Sequence, residues 1–277
     1  MRTIDYEVEY NNRARVPEHP AILARWQRDA AAFRASHKHS ELGLAYGKSE
    51  RQKIDLFWPG AARDAPIALF LHGGYWRALE RESFSHMAAG ANARGLAFAL
   101  AGYELCPTVM ISEIIEQVRE AAAFLGRRHG GPIVACGHSA GGHLAGCLVA
   151  TDWKQRGADL PADLTPTGLS ISGLFDLSPL VQTSMNADLR LDAAEVQRTS
   201  PIFWPVPAGA RAFDAWVGAD ESAEFLRQSR IIADAWKQKG LTTRYEAVGG
   251  ANHFTVLDPL TKPDSPLTAR LVELARR

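Results

Sequence analysis

Residues Ile133–Ala150 read IVACGHSAGGHLAGCLVA. Four apolar residues run into a glycine, a lone serine follows, and a small-residue run of helical character begins at once. "GHSAG", Gly137 to Gly141, fits G-x-S-x-G, in which a serine occupies a strained turn between a buried strand and a helix. Side chains two before and two after the serine would strike backbone, so those positions must be tiny. Gly137 and Gly141 meet that demand. The strand-like run before the serine and the helix-like run after it make Ser139 a candidate nucleophile.

Working outward, short apolar runs alternate with longer amphipathic ones from Lys53 onward. "KIDLFWP", "IALFLH", "LAFALAGY", "IVACG", "GLSISG", "FDAWVG" and "TRYEAV" read as strands. "SEIIEQVREAAAFLGRRHG" between two of them reads as a helix, with Ser112 as its cap, acids early, arginines late and glycines after the last turn. This rhythm predicts an α/β fold with a mostly parallel central sheet, helices on both faces and functional loops at the carboxyl ends of the strands. Before it, Ile22, Trp26, Ala30 and Phe33 recur at helical spacing, so residues 1–46 are expected to form a helical cap or appendage on a single domain spanning 1–277.

A serine hydroxyl needs a base within hydrogen-bond reach, and the base needs a carboxylate to hold its tautomer. In this setting acid and histidine follow the serine in chain order. Only His143 and His253 lie downstream. His143 is one turn into the elbow helix, where packing is the simpler role, whereas His253 sits in the glycine-rich loop "VGGANHF" after the last strand. The acid belongs after the strand "FDAWVG", where Asp220 and Glu221 compete. Asp176 and Asp214 read as structural, the first in a turn and the second inside a strand. Attack on a carbonyl also creates an oxyanion, and "HGGYW" after "IALFL" is placed to supply amides for it. Gly73, Gly74 and Ala140 are the expected donors, with His72 as an anchor for the loop.

Bulk properties exclude other classes. The 277 residues suit one α/β domain, and 46% apolar with 22% charged residues is ordinary for a folded protein. Lys plus Arg equals Asp plus Glu at 31 each, which supplies no general field for nucleic acid or an acidic membrane. The N-terminus lacks an apolar leader and no long uncharged apolar run occurs, so a cytoplasmic address and no membrane contact are expected. Cys106, Cys136 and Cys147 show no metal-ligand spacing and are expected to be reduced core thiols; no metal or cofactor is implied.

With these pieces assembled the chain resembles an α/β-hydrolase, and more narrowly the kynurenine formamidases (arylformamidases) within the hormone-sensitive-lipase-like esterases. "LHGGYW", "CGHSAGGHLA", "ISGLFDLSPLVQTSMNADLRL", "VQRTSPI", "VGADESAEFLRQS" and "NHF" carry the likeness in order from about Leu71 to Phe254. The resemblance implies Ser139 as nucleophile, His253 as base and Glu221 as acid. Glu221 lies three residues beyond Gly218, the usual offset in this fold, and it aligns without a gap through "EFLRQS"; Asp220 is the fallback. Relatives usually carry aspartate there, so the longer carboxylate is a departure.

The implied reaction is hydrolysis of N-formyl-L-kynurenine, a small-molecule substrate from tryptophan catabolism, to kynurenine and formate through a formyl-serine. Tyr75, Trp76, Phe175 and Trp204 are then candidate walls for the aromatic leaving group. A carboxylesterase for short acyl esters would use the same machinery. A ligand-binding protein that kept the fold without catalysis is the third alternative, opposed by the joint presence of all the parts. The apolar face of the N-terminal helix could cover the pocket or pair two copies as a homodimer.

Overall fold

The computed structural model describes residues 4–277. Eight strands form one sheet: β1 (Ser40–Ala45), β2 (Lys53–Phe57), β3 (Ile67–Leu71), β4 (Ala97–Ala101), β5 (Ile133–His138), β6 (Thr167–Ile171), β7 (Ala212–Gly218) and β8 (Thr242–Val248). Their order is β1-β2-β4-β3-β5-β6-β7-β8. The first two pairings are antiparallel and the rest parallel. All seven strands read from the sequence are present. The eighth, β1, departs from the expected helical segment over 1–46: helix ends at Ser36 and Ser40–Ala45 pair along the sheet edge. Its half-exposed "SELGLA" carries a charge and a glycine, hence no alternation to betray it.

Among the described residues ten α-helices accompany the sheet. α1 (Tyr6–Tyr10), α2 (Asn12–Arg15) and α3 (His19–Ser36) precede it; α4 (Ala88–Ala93), α5 (Ile111–His129) and α6 (Ala140–Val149) connect its first half. α7 (Asn186–Leu189), α8 (Ala193–Thr199), α9 (Ala223–Gln238) and α10 (Pro266–Ala275) follow. Alternation along β3 shows why both faces need cover. Ile67, Leu69 and Leu71 enter one core with residues of α5, α6 and α9, whereas Ala68 and Phe70 enter a second with residues of α3, α4 and α10. α3 packs through Ile22, Trp26 and Ala30, and its Phe33 meets Phe57 edge-on at 5.2 Å. α5 begins one residue before the expected cap. Glu113 reaches back to the Met110 N–H at 2.7 Å, while the Ser112 N–H donates to Glu195 at 2.9 Å, so Ser112 lies inside the helix.

Parallel register sets the strand ends level. Leu71 lies beside both Ala101 and Gly137, and His138 beside Ile171. The loops after β3, β5, β6, β7 and β8 therefore meet at one edge of the sheet.

Candidate active site

Ser139 stands between β5 and α6 with φ 56° and ψ −120°, a conformation that a non-glycine residue adopts only under constraint. The constraint is packing. A Cβ on Gly137 would run into the Gly141 carbonyl, and one on Gly141 into the Leu71 carbonyl of β3. Gly141→Ala is thus expected to destabilise by about 1–3 kcal/mol or more, as over-packing against backbone does, lowering Tm by several degrees in calorimetry. An unchanged Tm would mean that the elbow has room to spare.

The loop after β8 brings in His253. Asn252 Oδ1 accepts the N–H groups of Phe254 and Thr255 at 2.9 and 3.0 Å, a local turn that fixes the loop. The imidazole is held between the rings of Phe225 (4.6 Å) and His138 (4.7 Å). Its Nδ1 lies 2.6 Å from Glu221 Oε2. The other carboxylate oxygen accepts from Ser172 Oγ at 2.5 Å and from the Gly218 N–H at 2.7 Å, so the buried glutamate is fully engaged. Nδ1 therefore carries the proton, and Nε2 is left with its lone pair. Asp220 takes no part: its side chain is exposed, and its backbone N–H donates to the Ala251 carbonyl at 3.1 Å.

Two members of this arrangement escaped sequence reading. Ser172, also at positive φ (54°), stands just after β6, and that position at a strand's carboxyl end was the available signal. His138, inside the G-x-S-x-G pattern itself, bonds the His253 carbonyl through Nε2 at 2.8 Å. Burial holds its pKa well below the ordinary imidazole value, so it is neutral and donates that proton.

Opposite the serine, Gly73 is so close that an added Cβ would lie 3.1 Å from Ser139 Cβ. Among the described residues the N–H groups of Gly73 and Gly74 donate to no protein acceptor, and Ala140 opens helix α6. His72 supports the loop. Its Nδ1 bonds the Gly73 carbonyl at 2.7 Å, and its ring stacks on Tyr103 at 4.3 Å. Gly74, Tyr75 and Trp76 all have positive φ (107°, 51° and 56°). Two non-glycine residues in that region are held by their side chains: Tyr75 OH donates to the Tyr10 carbonyl at 2.6 Å, and Trp76 Nε1 donates to His143 Nδ1 at 3.2 Å.

Ser139, His138 and His253 open into a cavity of about 450 Å³ shared with Gly74 and Tyr75. Of the four expected aromatic walls, Tyr75 alone lines it. Trp76 is fully buried against His143, and Phe175 is fully buried against Phe213. Trp204 lies elsewhere, under the Arg119 guanidinium. By residue type and position Tyr75, Trp76 and Phe175 stand level, with Trp204 a weaker candidate; the loop geometry that separates them has no signature in sequence. The aromatic lining comes instead from Tyr10, Trp26, Tyr75 and Phe254, two of them from the N-terminal segment. Met185 and Asp188, from the stretch after β6, complete part of the wall.

Buried histidines carry a pH consequence. Burial pushes His72 down to about 3 and His143 to about 4. His143 Nδ1 accepts from Trp76, so its Nε2 donates to the Thr199 carbonyl at 2.6 Å, and a second proton would break the Trp76 bond. Unfolded, both imidazoles titrate near 6.5. Below that pH the unfolded chain takes up protons that the folded chain refuses, so stability present above about 6.5 falls as pH drops toward 4. Urea midpoints should decline over that window, and His143→Gln should flatten the slope. An identical slope in the variant would exclude His143 as a contributor.

Comparison with known proteins agrees with the fold. The alpha/beta hydrolase family model matches residues 68–273. Kynurenine formamidase of Salmo salar is 30% identical over 84% of this chain and 81% of its own length; that of Danio rerio is 28% identical over the same shares. The chain belongs to the kynurenine formamidase branch of the alpha/beta hydrolases. This formamidase relative is therefore a hydrolase. A crystal structure from Silicibacter sp. TM1040, provisionally described as a thioesterase, superposes with a TM-score of 0.85 at 35% identity, covering 96% of this chain and 98% of that one. Esterase B of Lactobacillus rhamnosis shares the fold, with a TM-score of 0.71 at 18% identity over 96% of this chain and 94% of its own. Among the described residues no helix is long and apolar enough to cross a membrane, and no cluster of His, Cys, Asp and Glu is placed to hold a metal. All three cysteines are buried and free.

Proposed function

We propose that this protein hydrolyses the formamide bond of N-formyl-L-kynurenine, giving kynurenine and formate in tryptophan catabolism. The observation that carries the catalytic part is the 2.6 Å contact of His253 Nδ1 with Glu221, which leaves Nε2 as a proton acceptor in the cavity that Ser139 lines. Ser139 Oγ attacks the formyl carbon while His253 Nε2 takes the hydroxyl proton. The amides of Gly73, Gly74 and Ala140 hold the resulting oxyanion, a kind of stabilisation worth about 3 kcal/mol per donor. His253 then returns the proton to the aniline nitrogen as the C–N bond breaks. Water, deprotonated by the same nitrogen, attacks the formyl-serine; formate leaves and the hydroxyl is restored. The family relationship supports the choice of substrate. We assign the helices of the N-terminal segment, Tyr6–Ser36, the role of a cap on a single hydrolase domain, because Tyr10 and Trp26 wall the cavity; of the expected segment 1–46, residues 1–3 lie outside the described residues and Ser40–Ala45 belong to the sheet.

The test is to offer the purified protein N-formylkynurenine and, separately, aryl esters of increasing acyl length. Formate release at a higher kcat/KM than cleavage of acetyl or butyryl esters is expected. Ester cleavage with no formate from the formamide would replace this reading with a short-chain carboxylesterase.

A further inference from the structure

The four charged side chains that line the cavity, histidines aside, are Glu7, Arg13, Arg77 and Asp188. Arg77 and Asp188 neutralise one another at 2.6 Å. Arg13 meets no carboxylate at ion-pair distance among the described residues, although its neighbour Arg15 pairs with Glu9 at 3.5 Å. Glu7 meets no cation at that distance either. Its two oxygens each accept one bond from Ser184, from the N–H and from Oγ, both at 2.7 Å, which orients the carboxylate and keeps further lone pairs available. One cation and one carboxylate without an ion-pair contact thus face the same cavity from its solvent-exposed side, both from the short N-terminal helices α1 and α2, with the charge of Arg77 also felt at Glu7.

That segment is fixed in place. The buried Tyr10 donates its hydroxyl to Glu224 at 2.8 Å and accepts from Gln228 at 3.0 Å. Its carbonyl takes the Tyr75 hydroxyl, and Asn12 Nδ2 reaches the same hydroxyl at 3.3 Å. A ligand bearing both charges would meet a carboxylate already oriented and a backbone already ordered around Arg13. We propose that Arg13 and Glu7 grip the carboxylate and the ammonium of an α-amino-acid head on the leaving group, making the N-terminal helices the determinant of leaving-group specificity. This rests on the formamidase reading above and adds to it the part of the substrate remote from the scissile bond.

The experiment compares N-formyl-L-kynurenine with formanilide, which offers the same bond without the amino-acid head. Arg13→Ala is expected to lower kcat/KM for the first by about 10- to 100-fold, mainly through KM, the size of a lost charge-assisted pair. Formanilide cleavage should fall by less than about 3-fold. Glu7→Gln should show the same selectivity with a smaller loss, and Arg28→Ala, on an exposed part of α3, should spare both substrates. Equal losses on both substrates, or none on either, would overturn the proposal while leaving the formamidase reading intact. A separate readout covers failure of that reading: kynurenine should competitively inhibit cleavage of para-nitrophenyl acetate, and Arg13→Ala should raise its inhibition constant about 10-fold. An unchanged constant would overturn the grip whatever the outcome with formamides.

Discussion

Ser139→Ala is expected to lower kcat for formate release by about 10⁴-fold or more, while binding of the intact substrate changes by less than about 3-fold. The reason is chemical. Covalent catalysis loses its only nucleophile, yet the methyl that remains adds no bulk at the strained turn, and the neighbouring amides of Gly73, Gly74 and Ala140 keep their positions. Residual activity should reflect the oxyanion site and substrate binding alone. Because residue 139 has positive φ (56°), alanine also retains a strain that serine already bears, so Tm should shift little. Comparable turnover by the alanine variant would remove the hydroxyl from the reaction altogether.

Glu221→Gln carries the second large effect, a loss of about 10⁴-fold in kcat, whereas Asp220→Asn should cost less than about 3-fold. A carboxamide can still fill the space, but it offers an NH₂ or an oxygen to a ring nitrogen with no charge to stabilise the imidazolium, and it can trap the wrong tautomer. The three contacts of Glu221, to His253, Ser172 and Gly218, would each be altered by one substitution. Glu221→Asp separates reach from charge. Its shorter side chain keeps the charge but cannot hold all three partners from the same backbone position, so a loss of about 10-fold is expected. If Asp220→Asn proved the damaging change, the acid would have to be reassigned to the exposed neighbour.

Much of this architecture was legible in the chain because the local signals agreed with the fold. Six of the seven strands, β2 to β7, announced themselves because they are buried along almost their whole length; β8, a part-exposed edge strand, was legible from its β-branched and aromatic residues instead. Ser139 was legible because two glycines are forced by carbonyl groups that lie within contact of their missing side chains. His253 followed by elimination among the downstream histidines. The choice of Glu221 over Asp220 needed a family resemblance, because two adjacent carboxylates differ only in which way the chain turns after Gly218. What stayed hidden depends on contacts between distant segments. Ser172 acquires its meaning from a glutamate 49 residues away, and Tyr10 from Glu224, 214 residues away. Trp76 and Phe175 looked like pocket walls by residue type, and only packing reveals them as core. Edge strand β1 and the start of α5 were misread because a weakly patterned edge and a backbone-bonded glutamate leave little trace in sequence.

On the proposed mechanism the formyl group passes through Ser139 on its way to water. Rapid-quench mass spectrometry of the protein during turnover of N-formylkynurenine tests it most directly. A formyl ester on the peptide carrying Ser139, formed at least as fast as kynurenine appears and absent from Ser139→Ala, is the expected result; kynurenine released at the full rate by the alanine variant, with no acylated peptide in either protein, would contradict it.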